Sequence, residues 1–149
     1  MKLILVLLVA FSLLVATAFV FLAYQSKTVP DLGLREGRLA ACVNTKNCVN
    51  SMASDSQGIE PIRFEGGRSD AWIKMKRAVQ ASGGNIEQEK ENYLWATFRS
   101  PLFSFVDDVE ILMDAESQWF NIRSASRVGQ SDFSANRKRV EILRKAFME

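Results

Sequence analysis

The chain contains no histidine. That absence removes Ser-His-Asp triads, Cys-His dyads, imidazole acid–base work and any zinc site with a histidine ligand. Only two cysteines are present, too few for a four-cysteine zinc site or an iron–sulfur cluster within one chain. No internal repeat or low-complexity tract occurs. Charge is missing altogether from residues 3–24, LILVLLVAFSLLVATAFVFLAY. Apolar residues make up 48% of the 149-residue chain. Once that stretch is set aside, a polar remainder with a modest core is left.

The uncharged stretch is long enough to span a bilayer, about 33 Å as a helix. Two readings of it compete. It is an uncleaved signal anchor over residues 1–26, or a signal peptide cut after Ala16-Thr17-Ala18. Cleavage there would leave Phe19-Val20-Phe21-Leu22-Ala23 at the head of a soluble chain, which favours the anchor. Leu39-Ala40-Ala41-Cys42 has the look of a lipobox. However, Asp31, Arg35, Glu36 and Arg38 separate it from the apolar run, which argues against lipidation. Lys2 on one side is balanced by Lys27, Arg35 and Arg38 on the other, so the positive-inside rule does not fix the orientation. The short leading tail and the cysteine pair favour a single-pass membrane protein with its domain on the extracytoplasmic, periplasmic side.

Residues 27–40 contain Pro30, Gly33 and Gly37 without sustained periodicity and read as a linker. Residues 41–149 then form one domain with 15 basic and 15 acidic side chains. This neutrality argues against a nucleic-acid partner. Acidic residues gather in 107–116 and basic ones in 123–145, blocks that can neutralise each other within the fold.

The periodicities predict an α+β fold: an N-terminal transmembrane helix, then an antiparallel meander of four to five strands with two helices packed on one face. A short strand holds Ile62 and Phe64. A helix capped by Ser69 runs to about Gln80, with Trp72, Met75 and Val79 as its stripe, and Ser82-Gly83-Gly84 stops it. Strands follow at about 92–99, 105–113 and 118–125, with a weak polar edge strand at 85–90. A last helix over 134–148 turns Val140, Leu143 and Phe147 to one side.

Even-length hairpin loops predict pairing of Val109 with Ile122, Ile111 with Phe120, Phe98 with Phe105 and Leu94 with Val109. These residues share the core face. The opposite face carries Tyr93, Trp95, Thr97, Asp108, Glu110, Trp119, Asn121 and Arg123. The pairing sets Asp108 between Trp95 and Arg123, and Glu110 between Tyr93 and Asn121. Aromatics interleaved with charges suit a binding surface. The competing reading is that residues 25–40 or the 41–60 loop fold over this face and bury it. Asp107 falls on the core side, where a carboxylate needs partners. Ser124, Arg127 and Asn136 are within reach, so a structural polar knot of these residues is expected. Cys42 and Cys48 are spaced for a short disulfide loop, with two free thiols in a reducing compartment as the alternative.

Asn47-Cys48-Val49, Phe105-Val106-Asp107-Asp108-Val109-Glu110, Arg123-Ser124-Ala125-Ser126-Arg127-Val128-Gly129 with Ser131-Asp132, and Asn136-Arg137-Lys138-Arg139-Val140 form a set. Over about 42–147 the set resembles the bacterial and plastid domain-of-unknown-function family 1499. Val43 and Lys46 stand where that family usually has prolines, so this loop is expected to be less rigid. The resemblance implies a domain without an established activity. The residues themselves favour a membrane-anchored, extracytoplasmic binding or accessory domain rather than an enzyme, with residues 3–24 meeting the membrane. Its partner would be a small anionic ligand or an envelope protein, with no cofactor and no metal. Arg123 and Arg127 would take the anion, with Asp108, Trp95, Glu110, Asn121 and Trp119 around it. The alternative is an enzyme using Asp107 and Asp108 as acid and base, or holding a divalent cation with these two together with Glu110 and Asp132. Neighbouring carboxylates on one strand point to opposite faces, which counts against a metal shared by Asp107 and Asp108.

Overall fold

The computed structural model describes residues 1–44 and 46–149. The apolar N-terminus is one helix, α1 (Lys2–Gln25), in which only Ala23 is buried. By length and composition it can cross a membrane. Two short strands follow, β1 (Leu34–Arg35) and β2 (Arg38–Leu39), paired as a hairpin. Its two-residue loop, Glu36-Gly37, has both residues at positive φ, as a type I′ turn requires.

The main sheet has six strands, all antiparallel pairs. In chain order they are β3 (Cys48–Asn50), β4 (Ile62–Arg63), β5 (Asn85–Lys90), β6 (Tyr93–Arg99), β7 (Val106–Asp114) and β8 (Trp119–Ser126). β5 to β8 form the meander, including the polar edge strand read from 85–90. The far edge of β8 is shared, with β3 beside Arg123–Ala125 and β4 beside Trp119–Phe120. β3 lies in a stretch read as loop, because three residues are too few to carry a visible alternation.

Two helices, α2 (Arg68–Ala81) and α3 (Ala135–Met148), cover one face. Met75, Val79, Val140 and Leu143 meet Leu94, Ala96, Val109, Ile111, Phe120 and Ile122 in the core, all buried. The α+β architecture is therefore as the sequence predicts. α2 begins one residue before the expected Ser69 cap. Gly67 holds the N-cap position without a side-chain bond, its carbonyl accepts from Ala71 N, and Asp70 stands in the first turn. Ser82 caps the end of the helix, Gly83 turns away at φ 85°, and Gly84 beyond it lies at a crowded point, where a Cβ would come within 2.6 Å of the Phe98 ring. α3 is also capped from outside. Asp132 accepts from Asn136 N at 2.8 Å, while Ser134 makes no side-chain cap bond.

Both hairpin registers lie two residues away from the predicted ones. Ile111 faces Ile122 and Met113 faces Phe120, while Phe98 faces Asp107 and Leu94 faces Ile111. Ser104 and Gln118 sit at positive φ and lengthen the two turns. A two-residue shift leaves every side chain on its predicted face, and the core face is as expected.

Candidate functional site

Strand period places Asp108 and Glu110 of β7 on the face away from the helices, and Asp107 on the helix side. Each of these carboxylates is met by one arginine. Asp108 is gripped in fork geometry by Arg127, with Nε to Oδ2 at 2.8 Å and Nη2 to Oδ1 at 2.7 Å, and Trp95 Nε1 donates to the same Oδ1 at 2.8 Å. The Arg127 side chain is only 5% exposed. Its remaining Nη1 turns the other way and donates to the carbonyls of Ser26, Lys27 and Thr28, at 3.2, 3.3 and 3.4 Å. These carbonyls directly follow α1. Ser26 is fully buried there, its hydroxyl donating to Ala23 O and accepting from Val106 N. One guanidinium thus joins the sheet to the end of the membrane-type helix.

Glu110 is completely buried. Arg123 Nη1 donates to its Oε2 at 2.7 Å, and the Tyr93 hydroxyl and Gly33 N donate to Oε1 at 2.8 and 2.9 Å. Burial, and next the Glu110 charge, push the Tyr93 phenol well above its ordinary pKa. The two-residue register shift explains the partners. Glu110 lies between Trp95 and Arg123, and Asp108 between Thr97 and Ala125, so Arg123 meets Glu110 and not Asp108. The Trp95–Asp108 contact forms along the diagonal. Trp119 and Asn121 stand apart from both ion pairs. The Arg63 guanidinium lies over the Trp119 ring, and Asn121 accepts from Ser51 Oγ.

The aromatic face is covered, as the competing reading of the sequence has it. Leu39 of β2 is buried against Tyr93 and Leu112, with Met52 and Trp95 alongside. Asn50 Nδ2 donates to Ala40 O at 3.0 Å. The segment read as a linker therefore lies as a strap across the sheet, held at Gly33 by Glu110. Closed ion pairs under this strap replace the open Trp95–Asp108–Arg123 row.

On the helix side the expected polar knot is present with a different cation. Asp107 pairs with Arg139 of α3, not with Arg127. Arg127 has the same strand parity as Arg123 and so belongs to the opposite face. Ser124 donates to Asn136 Oδ1 at 2.6 Å, and Arg139 Nη1 donates to the same oxygen at 2.6 Å. Asn136 Nδ2 donates to Asn47 O and Ser126 Oγ, tying α3 to β3 and β8. Arg139, Asn47 and Ser126 were not among the sequence candidates. Arg139 carried a usable signal, since it lies three residues after Asn136 and so on the same helix face. Asp107→Ala is expected to lower stability by about 1–3 kcal/mol by leaving this half-buried guanidinium without its anion. Unchanged urea unfolding would show that the pair contributes nothing.

Cys42 and Cys48 are disulfide-bonded, which fastens the end of the strap to β3. A loop this short is expected to contribute about 2 kcal/mol by restricting the unfolded chain. Thiol labelling of the unreduced protein should find no reactive cysteine, and the paired Cys→Ser variant should unfold earlier by that amount.

Carboxylates spent on arginines leave little for metal binding, and among the described residues no three Asp, Glu or Cys side chains gather as a cation site. Beside Arg127 a cleft of about 260 Å³ opens, lined by Lys27, Val29, Glu87, Trp95, Thr97, Arg99 and Val106. Glu87 accepts from Thr97 Oγ1 at 2.7 Å and from Asn85 Nδ2 at 2.8 Å, bonds that hold its pKa below the usual value. Lys27 and Arg99 make no ion pair among the described residues.

An antiparallel sheet backed by two helices, its buried carboxylates each closed by an arginine, defines an α+β domain preceded by a membrane-type helix. The chain belongs to the family described as Protein of unknown function (DUF1499), whose model matches residues 38–147. The match begins at β2, so half of the strap's hairpin lies within the family domain. No curated protein and no solved structure matches the chain.

Proposed function

We propose that the chain is an extracytoplasmic binding or accessory domain, held on the membrane by an uncleaved α1. The observation that carries this reading is the double role of Arg127. The same guanidinium that neutralises Asp108 also binds the three carbonyls after α1, so the helix end belongs to the domain's own hydrogen-bond network. The apolar side chains from Leu3 to Leu14 are all exposed, a surface that calls for lipid. The disulfide suits an oxidising compartment. A small anion, carboxylate or phosphate, is best matched by the cleft where Lys27 and Arg99, which make no ion pair among the described residues, flank Arg127, with the Glu87 carboxylate also in the lining. Of the sequence candidates, only Arg127 and Trp95 line it.

Topology is tested with C-terminal alkaline phosphatase and green fluorescent protein fusions, and cleavage with the intact mass of the membrane fraction. Active phosphatase, a dark fluorescent fusion and a mass that includes residues 1–18 are expected. A bright fluorescent fusion with inactive phosphatase, or a mass beginning at Phe19, would overturn the reading.

A further inference from the structure

The turn between β6 and β7 reaches back along α1. The Phe103 ring stacks on Phe19 with centroids 4.9 Å apart, and Phe105 meets the same ring edge-on at 6.2 Å. Phe19 lies six residues before the end of α1, about 9 Å down its axis. The hydrocarbon core takes about 20 residues of helix, which Leu3–Leu22 would fill. A turn touching Phe19 therefore lies at the depth of the bilayer boundary, not above the headgroups.

What this region offers to that boundary is apolar. Leu102 at the tip of the turn is 82% exposed, and Phe133 on the loop before α3 is 87% exposed. Phe133 is also held at φ 51°, a conformation uncommon for a bulky side chain. Between α1 and these loops runs a cleft of about 330 Å³ whose exposed lining is mostly apolar, from Phe19, Leu22, Phe105, Val128 and Phe133, with Asp107, Asp132 and three serines also along it.

We propose that this face is immersed in the leaflet that holds the C-terminal end of α1, with Leu102 and Phe133 inserted at the acyl boundary and a lipid acyl chain occupying the cleft. The proposal rests on the anchor reading, because α1 sets the depth. Phe19 and Leu22 line the cleft and belong to the spanning helix itself, so lipid is the neighbour that α1 brings to it. Exposed aromatic and aliphatic side chains beside a spanning helix gain from burial at the interface.

The native cysteines are bonded to each other, so one added cysteine can be labelled specifically. The full chain is reconstituted in phosphatidylcholine vesicles with brominated acyl chains, carrying an environment-sensitive fluorophore at Leu102→Cys or Phe133→Cys. Ile142→Cys on α3 is the solvent control and Leu14→Cys the depth control. Labels at 102 and 133 should be quenched by the brominated lipid and be several-fold less accessible to aqueous iodide than the label at 142. Iodide access equal to that at 142, with the label at 14 still quenched by lipid, would overturn the proposal and leave the anchor standing. Absence of lipid quenching at 14 would overturn both.

Discussion

Arg127→Met is expected to destabilise the protein by about 3–5 kcal/mol, the cost of leaving a buried carboxylate without its cation. Asp108 would keep Trp95 Nε1 as its remaining side-chain donor, and the three carbonyls after α1 would lose theirs. Urea unfolding of the full chain in detergent micelles reads the loss directly. Protease sensitivity should rise over residues 26–33 at the same time, because the strap's first residues are no longer tied to the sheet. The double variant Asp108→Leu, Arg127→Met removes both charges and should recover much of the loss, since a buried ion pair is often replaceable by apolar side chains of similar size. An unshifted midpoint in Arg127→Met would mean that the guanidinium is not seated on Asp108.

Arg123→Ala is the second large effect, expected at about 3 kcal/mol because Glu110 is fully buried and its charge would be left to two neutral donors. Were the aromatic face open to solvent, the same pair would be worth only about 0–1 kcal/mol. The magnitude therefore reports whether the strap is closed. A shift in melting midpoint too small to separate from wild type would show an accessible face and return Arg123 to the list of ligand-binding groups. The variant should also loosen the strap, since Gly33 N donates to the same carboxylate. Faster amide exchange near Gly33 would register that loosening separately from global unfolding.

The faces of the strands were legible in the sequence, because a period of two survives any shift by an even number of residues. Row neighbours were not. Each hairpin turn holds a residue at positive φ, Ser104 and Gln118, that no glycine or asparagine marks. Each turn is therefore longer than the side chains suggest, and Arg123 passes from Asp108 to Glu110. The burial of Asp107 was legible from the apolar residues around it on the strand. Its partner was not, since nearness in sequence pointed to Arg127, while strand parity sends that side chain to the other face. Arg139, a turn of helix beyond Asn136, holds the place instead. The strap left almost no trace. Its two strands have two residues each, and Leu39 is its single deeply buried side chain, below what any periodicity can register. The cleft beside Arg127 was half visible, through Arg127 and Trp95. Arg99 shares strand parity with Trp95 and Thr97 on β6, whereas Lys27 comes to it only because α1 ends against the start of β7.

The seat of Ser26 and its neighbours on Arg127 also bears on how the domain moves. A free linker over residues 27–40 would let a tethered domain wander with a root-mean-square reach of about 20 Å, presenting every side in turn. Here the chain turns from helix to sheet with no slack at residues 26–28, and Gly33 and Leu39 are fastened further on. Helix and domain then tilt and rotate as one body. Under the proposed anchor, the depth and tilt of the domain relative to α1 are therefore set by the fold and not by a linker.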